Sequence, residues 1–78
     1  MDFKQARAFK IVSNYLEARN LSQDSFSLET RILYWNSKFP SISALDLAAI
    51  TIVNPPNFFS ISESDIRDFC LKLFPPII

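Results

Sequence analysis

The sequence predicts an all-α fold, a small four-helix bundle-like single domain. Three observations favour this class. Apolar residues recur at the spacing of amphipathic helices. The 78-residue chain contains no glycine, which tight β-hairpins prefer. Prolines stand between the helical segments, where they end helices. The length is that of one domain, residues 1–78. The predicted helices span about residues 2–19, 27–38, 44–53 and 62–74.

The first predicted helix, residues 2–19, carries its apolar side chains on one arc of about 160°. Asp2 suits the positive end of the helix dipole, and Arg19 suits the negative end. Because the chain lacks glycine, Asn20 is the natural left-handed residue after the helix, and Leu21 can fold back onto the last turn. The apolar arc consists of Ala8, Phe9, Ile11, Val12, Tyr15 and Leu16.

The second predicted helix follows a polar connector, residues 22–27, and ends at Lys38. Pro40 ends it, because a proline disfavours helical geometry in the residue before it, here Phe39. Trp35 is the strongest core marker of the chain, and its indole N–H needs an acceptor or a place at the edge of the core. The predicted buried stripe consists of Leu28, Ile32, Trp35 and Phe39.

The third segment, residues 44–53, is apolar on all sides, which predicts a helix surrounded by the other three. Ser43 and Asp46 form a variant capping box, in which the serine accepts an N–H and the aspartate reaches back. The β-branched run from Ile50 to Val53 favours a short strand instead. The helix is the preferred interpretation, because the cap comes first and no second strand is evident to pair with.

The fourth predicted helix begins at a second box, formed by Ser62 and Asp65, and ends before the Pro75-Pro76 pair. One side of it is apolar and is expected to face the third helix. This inner face consists of Ile66, Phe69, Cys70 and Leu73. Across the whole chain, the residues predicted to be buried are Trp35, Ile32, Leu47, Ile50 and Phe69.

The composition argues against catalysis and against a bound cofactor or metal. Without histidine, the commonest general base and zinc ligand are both missing. Without glycine, phosphate-binding loops and dinucleotide fingerprints are excluded. Cys70 lies among apolar residues with no activating base, so a small buried hydrophobe is predicted. Asp65 and Asp68 lie one turn apart, but capping accounts for Asp65. We expect no enzyme and no catalytic residue.

A nucleic-acid-binding regulator is the alternative function. The run from Ile42 to Leu73 resembles a helix-turn-helix, with Leu47-Ala48 as the apolar pair of its first helix and residues 62–72 as its recognition helix. The resemblance covers less than half of the chain, and residues 54–60 are long for the tight turn. The recognition helix would carry three carboxylates and two cations, which repels phosphates. Nucleic acid is therefore an unlikely partner.

The first expectation is a protein–protein interaction module: an adaptor, a regulator or a self-associating domain. The chain has more apolar residues than so small a core hides, and Phe3 and Phe26 fall outside the helix stripes. Oligomerisation stabilises small chains that lack disulfides, so a homodimer is predicted. The predicted interface consists of Phe58, Phe59, Ile77 and Ile78, with the basic residues Lys4, Arg7 and Lys10 as a second candidate surface.

The expected location is the cytoplasm, with no membrane partner. Charged residues at positions 4, 7 and 10 interrupt any apolar run that could serve as a signal peptide. A single cysteine fits a reducing compartment.

Overall fold

The computed structural model describes residues 1–56 and 60–76, and these form four α-helices with no strand among them. The all-α prediction is confirmed, and the β-branched run at the end of the third helix is helical. The helices are α1 (Phe3–Ala18), α2 (Ser25–Lys38), α3 (Ala44–Val53) and α4 (Glu63–Leu73).

Helix α3 lies at the centre, as its apolar sequence predicts. It packs against each of the other three helices, α1 and α2 also pack against each other, and α4 packs against α3 alone. Every residue of α3 from Asp46 to Thr51 is buried. The one hydroxyl in this stretch is satisfied within the helix, because Thr51 Oγ1 donates to the Leu47 carbonyl at 2.8 Å.

Four of the five residues predicted to be buried are at most 1% exposed: Trp35, Ile32, Leu47 and Ile50. The prediction for Phe69 is wrong, since this side chain is only partly buried against the core. Because α4 packs against a single helix, a narrow row of its residues faces inward. That row is Ile66 and Cys70, and Phe69 lies at its edge.

The helix starts follow from side-chain caps. The Ser62/Asp65 capping box is present in both directions, at 2.9 and 3.2 Å. Helix α2 begins two residues earlier than predicted, because Asp24 caps it: its carboxylate accepts the Ser27 N–H at 3.1 Å and lies 3.3 Å from the Ser27 hydroxyl. Phe26, predicted to lie in a connector, is therefore in the first turn of α2.

The helices end close to asparagines in the left-handed conformation or shortly before a proline. Asn20 has a φ of 56°, and the Leu21 N–H donates to the Leu16 carbonyl at 2.9 Å, so the predicted left-handed cap is confirmed. Asn54 is also left-handed, with a φ of 45°, and ends α3. Helix α2 ends at Lys38 as predicted, and its C-cap Phe39 lies directly before Pro40.

The box predicted at the start of α3 is only half formed. The Asp46 N–H donates to Ser43 Oγ at 3.1 Å, but the Asp46 carboxylate turns towards α4 instead of the Ser43 backbone. There it lies 3.8 Å from Arg67 Nε and beside Cys70. Burial, followed by hydrogen bonding to Asp46, raises the pKa of the Cys70 thiol to about 11. Asp46 thus links α3 to α4.

Candidate interaction surface

The outer face of α2 carries a row of uncharged side chains that we call the α2 stripe: Phe26, Thr30, Leu33 and Ser37. Their spacing of four, three and four residues places them within about 60° of one another on the helix. Phe26 is 76% exposed and Leu33 is 43% exposed. The Thr30 hydroxyl donates to the Phe26 carbonyl at 2.8 Å, so its hydrogen-bonding capacity is used within the helix.

The α2 stripe lies on the side of the helix opposite its buried residues. Leu28, Ile32 and Trp35 face α1 and α3 and are at most 4% exposed. Helix α2 thus exposes two apolar side chains, Phe26 and Leu33, on the side that the core does not use. Exposed apolar side chains that lie together on one helix face are candidates for an interaction site.

Sequence reasoning did not find this stripe, because it placed Phe26 in the connector before α2. The signal was present in the pair Asp24 and Ser27, an N-cap residue with a hydrogen-bonding partner three positions later. With the helix started at Ser25, Phe26 takes up helical spacing with Leu33, and the row becomes visible.

A groove runs beside the stripe, between α2 and the segment that follows α3. We call it the Tyr34 groove. Its volume is about 450 Å³, within the range of small-ligand and peptide side-chain sites. Tyr34 is 41% exposed and meets the Trp35 ring edge-on, with centroids 4.9 Å apart. The groove is lined by Thr30, Arg31, Tyr34, Trp35, Asn54, Pro55 and Pro56.

The polar groups that line the groove belong to Thr30, Arg31, Tyr34, Trp35 and Asn54. Among the described lining residues Arg31 is the only charged one, and in residues 1–56 and 60–76 no carboxylate lies within 4 Å of its guanidinium. The Trp35 indole N–H is buried and has no acceptor in the same part of the chain. The groove thus combines aromatic and proline walls with one half-buried cation.

The residues predicted to form an interface lie elsewhere. Phe58, Phe59, Ile77 and Ile78 fall outside the described residues. Lys4 serves the fold, because its Nζ donates to the carbonyls of Pro40 at 2.8 Å and Ile42 at 3.1 Å, which fixes the loop before α3. Arg7 and Lys10 are exposed on α1, on the same side as Phe3, which is 82% exposed.

The remaining described surfaces offer few groups suited to binding a ligand. The exposed side of α4 carries the carboxylates of Glu63, Asp65 and Asp68, which disfavour contact with phosphates. Among the described residues, no three acidic or cysteine side chains are grouped so that they could hold a metal ion. None of the four helices has the length and apolar character needed to cross a membrane.

Comparison with known proteins adds no relative from which a function could be transferred. The chain matches no protein-family model, no curated protein and no solved structure.

Proposed function

We propose that this domain is a non-catalytic protein–protein interaction module that binds through the α2 stripe, and that a second copy of the chain is one partner. The observation that carries the proposal is the exposure of Phe26 and Leu33 on an uncharged helix face opposite a fully buried one. Covering two such side chains removes a large apolar area from water, which favours association.

Self-association is supported by the pattern of the stripe. Its members share one helix face, and the same face of two copies can meet across a two-fold axis. No charge lies on Phe26, Thr30, Leu33 or Ser37, so two stripes do not repel each other. The chain has one cysteine and so forms no internal disulfide, which leaves association as a route to added stability.

Sedimentation equilibrium at micromolar concentration tests the proposal. We expect a wild-type dimer, and a Phe26→Ser, Leu33→Ser variant whose dimer dissociates at least about tenfold more readily. The matched control is Leu45→Ser, Leu71→Ser, because these leucines are 41% and 50% exposed on α3 and α4. The control is expected to remain dimeric.

Two results would count against this assignment. A wild type that stays monomeric throughout the concentration range excludes the second copy as partner. A dimer that survives the Phe26→Ser, Leu33→Ser change places the interface elsewhere, and a Phe58→Ser, Phe59→Ser variant then tests the surface expected from the sequence.

A further inference from the structure

We infer that the Tyr34 groove binds a peptide that presents a carboxylate next to an aliphatic side chain. The inference rests on the proposed function, because it specifies the chemistry of a protein partner. It concerns a different surface from the α2 stripe, although Thr30 borders both.

The walls of the groove fit an aliphatic side chain. Tyr34 presents an aromatic ring on α2, and Pro55 and Pro56 present pyrrolidine rings from the other side. Aromatic rings offer a large apolar area with few rotatable bonds, so they bind apolar groups at a low cost in conformational entropy. At about 450 Å³ the groove accommodates one or two side chains of a peptide.

The charge of the groove selects for a carboxylate. Arg31 is half-buried, and within the described residues its guanidinium faces no acidic partner. A guanidinium presents a planar set of donors that matches the two oxygens of a carboxylate, and partial burial strengthens such a pair. Glu29, the nearest acidic residue in sequence, lies two positions away on α2, and residues so spaced do not face each other.

The groove is pre-formed on its α2 side, where Arg31 and Tyr34 project from a regular helix. The opposite wall follows the end of α3, where the Asn54 N–H donates to the Ile50 carbonyl at 2.8 Å. The two prolines have restricted φ angles. A site that needs little ordering retains more of its contact energy as affinity.

The test uses the single tryptophan of the chain as a reporter. Two probes are titrated into the protein: acetyl-Pro-Leu-Glu-Leu-amide and the same peptide with glutamine in place of glutamate. The indole N–H resonance of Trp35 and its fluorescence are followed together. We expect the acidic peptide to shift the indole signal with at least about tenfold higher affinity than the neutral one, as a charge-assisted pair implies.

Two variants locate the effect. Arg31→Gln is expected to abolish the preference for the acidic peptide and to leave helical circular dichroism unchanged. Arg7→Gln makes the same change in net charge on the exposed side of α1 and is expected to keep the preference.

The outcomes separate this inference from the proposed function. Equal affinity for the two peptides, or a preference that survives Arg31→Gln, refutes carboxylate recognition but leaves a peptide-binding groove. An indole signal that neither peptide shifts at millimolar concentration rules out the groove as a site, and the interaction module then depends on the sedimentation result alone.

Discussion

Helices α2 and α4 are built alike at their ends and differ in how they are packed. Each is followed by a phenylalanine C-cap and then a proline, with φ and ψ of −130° and 74° at Phe39 and −129° and 70° at Phe74. In both, the N–H of that phenylalanine donates to the carbonyl four residues before it at 2.8 Å. Yet α2 packs against two helices and α4 against one.

The outer faces of the two helices also differ. Helix α4 exposes charged residues together with Leu71. Helix α2 exposes Phe26 and Leu33. Exposed apolar side chains also occur on α1 at Phe3 and on α3 at Leu45. Phe26 and Leu33 differ from them because they share a helix face that carries no charge, and this is the face to which our proposal assigns binding.

The largest expected effect concerns the inner faces. Ile32→Ala on α2 is expected to cost about 4–5 kcal/mol of unfolding free energy, and Ile66→Ala on α4 about 2–3 kcal/mol, within the usual range of about 2–5. Both side chains are completely buried in one core cluster, but the helix that carries Ile66 packs against α3 alone and can shift more easily to fill a cavity. Urea denaturation measures both values. A greater loss at Ile66 would contradict the difference in packing.

A smaller effect is expected from Cys70, which has no counterpart on α2. Its pKa is 9.0 in an unfolded chain and about 11 in the fold, so the folded state holds the proton more tightly. The resulting stability is present below about pH 9 and is lost as the pH rises towards 11. The contribution is on the order of 2 kcal/mol at most.

Urea denaturation of the wild type and of Cys70→Ala is compared between about pH 8 and 11. The difference between the two proteins isolates the thiol from the other titrating groups. We expect a flatter dependence in the variant. Parallel curves for the two proteins would show that the thiol does not contribute.

The smallest expected effects are those of the caps. Asp24→Ala on α2 and Ser62→Ala on α4 should each cost about 0.5–2 kcal/mol. Only the first should also weaken the proposed dimer, because Phe26 lies in the turn that Asp24 holds. Sedimentation of both variants under identical conditions provides the comparison. Equal effects on association would remove the link between the α2 cap and the interface.

Whether a feature of this fold is predictable from the sequence depends on the distance along the chain over which its residues act. The bounds of α3 were predicted because Ser43 and Asn54 act locally. The contact between Asp46 and Arg67 was not predicted, because only the packing of α4 on α3 brings these two residues together. The same holds for the Tyr34 groove, whose two walls lie at least 19 positions apart in the chain, from Trp35 to Asn54. Phe69 was placed on the correct side of α4 but too close to its centre.

The two left-handed asparagines have a consequence for the unfolded chain. Asn20 and Asn54 occupy positions where glycine is common, and they allow a sequence of 78 residues to contain no glycine at all. Glycine has the greatest backbone freedom when a protein is unfolded, so an asparagine loses less conformational entropy on folding, while its left-handed geometry offsets part of this gain. Five prolines restrict the chain further. Folding of this small core therefore costs less backbone conformational entropy.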